Sequence, residues 1–171
     1  MRTPSNRLLS NLVVLLVLGA SVAQAQDAPP APAPAADARV ERLLKEIAAE
    51  YTVDEDGDFR LVYDIGGGRS QLVWIPSGTS DFGALEIRQV WSIAHRSKGS
   101  LPVDLANRLL DRNGAVILGA WLTEPAGEEL GVIFAVQVAA ETDALSLRSA
   151  VHAVATTADA MEKELTGQDD F

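Results

Sequence analysis

The sequence predicts an α+β domain: an antiparallel five-stranded sheet with three helices, in the order α-β-β-β-α-β-β-α. Three observations lead there. Stretches with apolar residues at every second position are joined by short turns, which sets neighbouring strands antiparallel. Stretches of helical period stand at the start, the middle and the end of the folded part. Between them they occupy roughly 130 residues, a length that buries about two-thirds of its unfolded surface and needs no staples.

The first helix is expected from about Asp37 to Glu50, where Val40, Leu43, Leu44, Ile47 and Tyr51 recur at helical spacing and Asp37 can cap the start. At Phe59 the period changes to two. Phe59, Leu61, Tyr63 and Ile65 alternate with Arg60, Val62 and Asp64, Gly66-Gly67-Gly68 turns the chain, and Gln71 to Ile75 returns, giving a hairpin. A third strand is expected from Ala84 to Ala94, with Leu85, Ile87, Trp91 and Ile93 on the core face and Glu86, Arg88 and Ser92 opposite. Pro102 opens a short helix, Val103 to Arg112, with Asn113-Gly114 expected as a left-handed cap. Ala115 to Leu122 (AVILGAWL) is continuously apolar and reads as a strand covered on both faces, ending at the turn Glu124 to Gly127. In the fifth strand, Glu129 to Ala140, Leu130, Val132, Phe134, Val136 and Val138 alternate. A long helix from Asp143 to Leu165 closes the fold, its seam formed by Leu147, Val151, Val154, Ala158, Met161 and Leu165.

Ahead of this domain, residues 1–25 have the three parts of a secretory signal peptide: basic Arg2 and Arg7, an apolar run from Leu8 to Ala20, and the small-x-small site Ala23-Gln24-Ala25. Cleavage after Ala25 is expected to leave a periplasmic protein with no stable membrane insertion. With no cysteine in the chain, a lipid anchor on Cys, disulfides, thiolate metal sites and a Cys nucleophile are excluded. Residues 26–38 are rich in alternating Pro and Ala and read as an extended tether to the domain, 39–171. The net charge is -10, and because two of the 14 basic residues fall in the leader, 12 remain against 24 acidic ones. Such a surface repels phosphate backbones, so nucleic acid is not an expected partner.

No constellation of residues announces chemistry. Asp54, Asp56 and Asp58 alternate as calcium ligands do, but loop positions six and twelve hold Phe59 and Ile65 instead of Gly and Glu, so a solvated acidic turn is expected. Gly66 to Gly68 leads into a strand rather than a helix, unlike a phosphate cradle. His95 and His152 lack metal-ligand spacing, and His152 shares a helical face with Ser149, Thr156 and Asp159, which is expected to face solvent. The expectation is a non-enzyme with no catalytic residues, no metal and no cofactor.

What stands out is apolar area on both sheet faces. The element order, small size and acidic balance, together with Gly57-Asp58-Phe59 entering the first strand, the Leu105 to Leu110 helix leading to AVILGAW, and the ending Ala158 to Leu165, resemble the YbjN family and the class I type III secretion chaperones of the CesT kind. The likeness covers about Leu44 to Phe171. It implies an α-β-β-β-α-β-β-α domain that often dimerises and holds extended segments of client proteins on apolar grooves. It supplies no catalytic residues. Those chaperones act in the cytosol, whereas this chain carries an export signal and a tether.

The expected function is therefore a periplasmic peptide- or protein-binding domain, homodimeric, whose partners are a second copy and extended segments of another protein. The alternative is a small carrier of an apolar ligand, held between the sheet and the last helix. Trp121, Trp74 and Trp91 are the candidate contact residues, because Trp offers large apolar area with few rotatable bonds. Trp91 is expected in the core by its strand phase, while the exposure of Trp121 is undecided, its run having no polar face.

Overall fold

Alternation of apolar and polar side chains builds the first hairpin of this computed structural model, which describes residues 35–171. The expected signal peptide (1–25) and most of the expected linker (26–38) lie outside the described residues. Strand β2 (Phe59–Gly66) buries Phe59 and Leu61 and exposes Arg60, Val62 and Asp64. It pairs with β3 (Arg69–Ile75) through a turn in which Gly66, Gly67 and Gly68 all have φ between 66° and 89°, conformations that glycine alone adopts freely. Before it, α1 (Ala38–Glu46) starts where expected, the carboxylate of Asp37 accepting the Arg39 N–H at 2.8 Å.

The described residues form one sheet of seven strands, all neighbours antiparallel, not the five expected. The two extra strands are short: β1 (Thr52–Val53) on the edge of β2, and β4 (Ser80–Phe82) beside the start of β5 (Leu85–Lys98). Two or three residues carry no readable period, and pairing to a longer neighbour is what makes them strands. Helix α2 (Val103–Asn113) leads to the edge strand β6 (Ala120–Ala126), and β7 (Glu129–Ala139) returns between β6 and β5. The order is β1-β2-β3-β5-β7-β6.

The AVILGAWL run is not a strand throughout. Residues 115–119 form a bend, Ile117 is fully exposed, and the strand runs from Ala120 through Pro125 to Ala126. Gly119 is the reason. Its φ is +89°, and a Cβ there would lie 2.5 Å from the Ala135 carbonyl oxygen and 2.9 Å from the Phe134 ring. With its backbone pressed onto the Ala135 carbonyl, Gly119 bends the chain just ahead of the ladder, which begins at Ala120. Gly119→Ala is expected to cost about 2–4 kcal/mol through overpacking and backbone strain together; a urea melt showing less than about 1 kcal/mol would place the close approach elsewhere. The expected left-handed cap is absent too: Gly114 is right-handed, and the Asn113 side chain instead spans to β6, accepting the Trp121 N–H at 2.6 Å and donating to its carbonyl at 3.2 Å.

All three helices contribute to one core on one face of the sheet. Val40, Leu43 and Leu44 of α1, Leu109 of α2, and Leu147, Val151, Val154, Ala158 and Met161 of α3 (Ala144–Leu165) meet Phe59, Leu61, Val73, Ile75, Val90, Val132, Phe134 and Val136. The seam expected on α3 is buried from Leu147 to Met161, with Leu165 partly buried, and Asp143 caps the helix by accepting the Ser146 N–H at 2.8 Å.

Strand β5 has the opposite phase to that expected. Arg88, Val90, Ser92 and Ala94 are its buried, helix-facing residues, which sends Trp91 and Ile93 to the other side. The polar pair tolerates this because each side chain finds partners. Ser92 Oγ donates to the Leu72 carbonyl at 2.7 Å and accepts from Gln71 Nε2 at 2.9 Å. Arg88, 2% exposed, donates to the carbonyls of Pro76 and Ser77 and to the Asp37 carboxylate.

Candidate functional site: the open face of the sheet

The face of the sheet that carries no helix among the described residues has the feature with most capacity to bind. Period-two geometry places Leu72 and Trp74 of β3, Trp91 and Ile93 of β5, Ile133 and Ala135 of β7, and Ala120 and Leu122 of β6 on this side. Trp74 and Trp91 stand directly opposite in the β3–β5 register and stack in parallel, ring centres 4.4 Å apart and planes 4° apart. Ile93, Ile133 and Ala135 form a second, smaller apolar cluster beside them, against which Leu122 and Phe171 also pack. On the β2 side Val62 is 73% exposed next to Leu72, its cross-strand neighbour. On the β6 side a hollow of about 340 Å³ lies between Gln89, Leu118, Ala120, Leu122, Ala135 and Gln137.

Two of the three expected contact residues are thus brought together, Trp91 being here and not in the helix-covered core. Trp121 is on the other face. It is 6% exposed and packs edge-on to Phe134 at 5.1 Å.

Other expected positions resolve locally. Asp54 Oδ1 accepts the N–H groups of Asp56 and Asp58 at 3.1 and 3.0 Å, and Asp58 Oδ1 accepts that of Ser77 at 2.8 Å. These carboxylates fold the turn. His152 is exposed as expected, with Nδ1 2.8 Å from the Tyr63 hydroxyl. Asp159 is not on that solvent face. It is 7% exposed and accepts from Arg69 Nε at 2.6 Å.

Arg69 centres a cluster that sequence reasoning missed. Three carboxylates, Asp159, Glu162 and Asp169, lie within 4.8 Å of one another, with Arg69 Nη2 3.7 Å from Glu162 and 3.8 Å from Asp169. The guanidinium already supplies the cation there, so the group reads as an ion-pair network. Hydrogen bonding to Asp159 pushes the Arg69 pKa up, and burial pushes that of Glu162 up, since the fully buried carboxylate is hard to charge. Glu162 Oε2 and Arg69 Nη2 are buried without a hydrogen-bond partner. In the sequence, Arg69 is one cation after a glycine turn, and nothing local shows that α3 brings two acids to it.

No known protein-family model matches this chain, and no curated protein does.

Proposed function

We propose that this chain is a non-enzymatic peptide- or protein-binding domain that takes extended segments of another protein on the open face of its sheet. The observation that carries the reading is the stacked Trp74–Trp91 pair flanked by Val62 and Leu72 on a face that no helix of the described residues covers. Apolar area of this kind on a soluble domain marks an interaction surface, and tryptophans are its strongest anchors. The export pattern of residues 1–25 supports a periplasmic setting, and the helix–strand order, apart from two short strands, is the one that the secretion-chaperone resemblance implies. Pairing with a second copy through the same face is part of this proposal.

The carrier reading is less well supported. Between the sheet and α3, Leu147, Val151, Val154, Ala155, Ala158 and Met161 fill the space, each no more than 4% exposed.

The test is binding of a permanently unfolded polypeptide, followed by tryptophan emission and by elution mass. Trp74→Ala is expected to weaken binding about 30-fold, a hot-spot loss of about 2 kcal/mol. It should lower stability by only about 1–2 kcal/mol, the value of a half-exposed aromatic contact. Elution as a monomer with unchanged emission at high polypeptide concentration overturns the proposal.

A further inference from the structure

The segment after α3 is bound the way a peptide ligand is bound. Gly167, at φ +68°, ends the helix and turns the chain back over the sheet. The Gln168 carbonyl accepts from Arg69 Nη1 at 2.7 Å, Asp169 Oδ1 accepts the Ser70 N–H at 3.3 Å, and the Asp170 N–H donates to Glu162 Oε1 at 2.5 Å. Phe171 then reaches the open face, packs on the Ile93, Ile133 and Ala135 cluster, and lies under the Arg96 guanidinium at 5.9 Å. The domain engages the segment through the main chain of Gln168 and Asp170 and the carboxylate of Asp169, and one ring fills an apolar site, which is how extended peptides are recognised.

The sheet has room for this. β3 and β5 pair only at Val73↔Ser92 and Trp74↔Trp91; beyond them Gln71 Nε2 spans to the Ile93 carbonyl at 2.6 Å. Inside the clamp Glu162 Oε2 and Arg69 Nη2 face each other at 3.7 Å as an ion pair without a hydrogen bond. The Gln168 and Asp169 hydrogen bonds are exposed and each contributes little on its own, so the segment can be displaced.

We propose that Arg69, the Ser70 amide, Glu162 and the Ile93–Ile133–Ala135 cluster form a recognition site for extended peptides of another protein in which an acidic residue precedes an aromatic one by two positions, and that Gln168–Phe171 is the domain's own occupant of it. This rests on the open-face reading and narrows it to one peptide chemistry. The native segment competes with the ligand, so the free domain binds weakly until that segment is released.

The experiment uses the full chain and a fluorescein-labelled peptide copy of Leu165–Phe171, read by anisotropy. Phe171→Ala in the chain is expected to tighten peptide binding at least about tenfold, because the competent fraction rises. Replacing Phe by Ala in the peptide, or Arg69→Gln in the Phe171→Ala chain, is expected to abolish binding. Should Phe171→Ala fail to fold, Asp169→Asn loosens the clamp end alone and takes its place. Two results overturn the inference: no peptide binding by the loosened chain, or equal binding by both chains. If the chain still binds an unfolded polypeptide through Trp74, only this inference falls; if it binds neither, the open-face reading falls with it.

Discussion

Trp121→Ala is expected to cost about 3–5 kcal/mol of stability, the loss seen when a large buried aromatic is truncated. The side chain fills the region where α2, β6 and α3 converge, edge-on to Phe134 and 6% exposed. Its backbone is gripped on both sides by Asn113, which limits how far β6 can collapse into the vacancy. A denaturant melt with a sizing run checks this. The folded fraction should keep its assembly state, because the open face lies on the opposite side of the sheet. A loss below about 1 kcal/mol accompanied by altered assembly would make Trp121 an interface residue instead.

Asp37→Ala is expected to cost a comparable amount, about 3–5 kcal/mol, because it strands the buried Arg88 guanidinium. It also removes the cap of α1, a contribution of about 1 kcal/mol on its own. Arg88 would keep the Pro76 and Ser77 carbonyls but lose the carboxylate that now accepts its hydrogen bond. Acid supplies a second readout. Hydrogen bonds from Arg39, and then from Arg88, hold the Asp37 carboxyl well below the usual carboxylate range, and Arg39 with Thr79 lowers Glu86 to about 2. A carboxyl with a depressed folded pKa stabilises the fold above its unfolded value, near 4, and that contribution is lost as pH falls towards the folded value. The native chain should therefore lose stability from about pH 4 downward, and the Asp37→Ala chain should lose less over the same interval. Parallel pH profiles for the two chains would show that Asp37 is not the acid-sensitive tie.

These two residues also mark where the sequence was readable and where it was not. Asp37 as cap, the β2–β3 hairpin and the α3 seam were legible because each rests on local rules: a short acceptor before a helix, alternation around three glycines, and steps of three and four. The phase of β5 was not. Arg88 and Ser92 look like solvent-facing residues until Pro76, Ser77, Asp37, Gln71 and Leu72 arrive from elsewhere in the chain to satisfy them. The one-residue difference in phase moved Trp91 to the open face and made the Trp74–Trp91 stack invisible in advance. Composition also misled at AVILGAWL, where a continuous apolar run concealed a left-handed glycine. The Arg69 clamp had no local signal, since its parts are separated by about ninety residues of chain.

The brief seam between β3 and β5 makes the sheet two ribbons instead of one plate. One ribbon is β1-β2-β3; the other is β5-β7-β6, in which β5 and β7 stay paired from Ile87↔Ala139 to Lys98↔Glu129. Fluctuations that cost less than global unfolding concentrate where pairing is thinnest, so local opening of the sheet is expected first along that line, where the packing of α3 on both ribbons has to hold them together. That line runs beside Trp74 and Trp91, near the segment that ends in Phe171. A chain clasped there is expected to tie the two ribbons together, so its arrival or departure should register as a change in hydrogen-exchange protection along the seam.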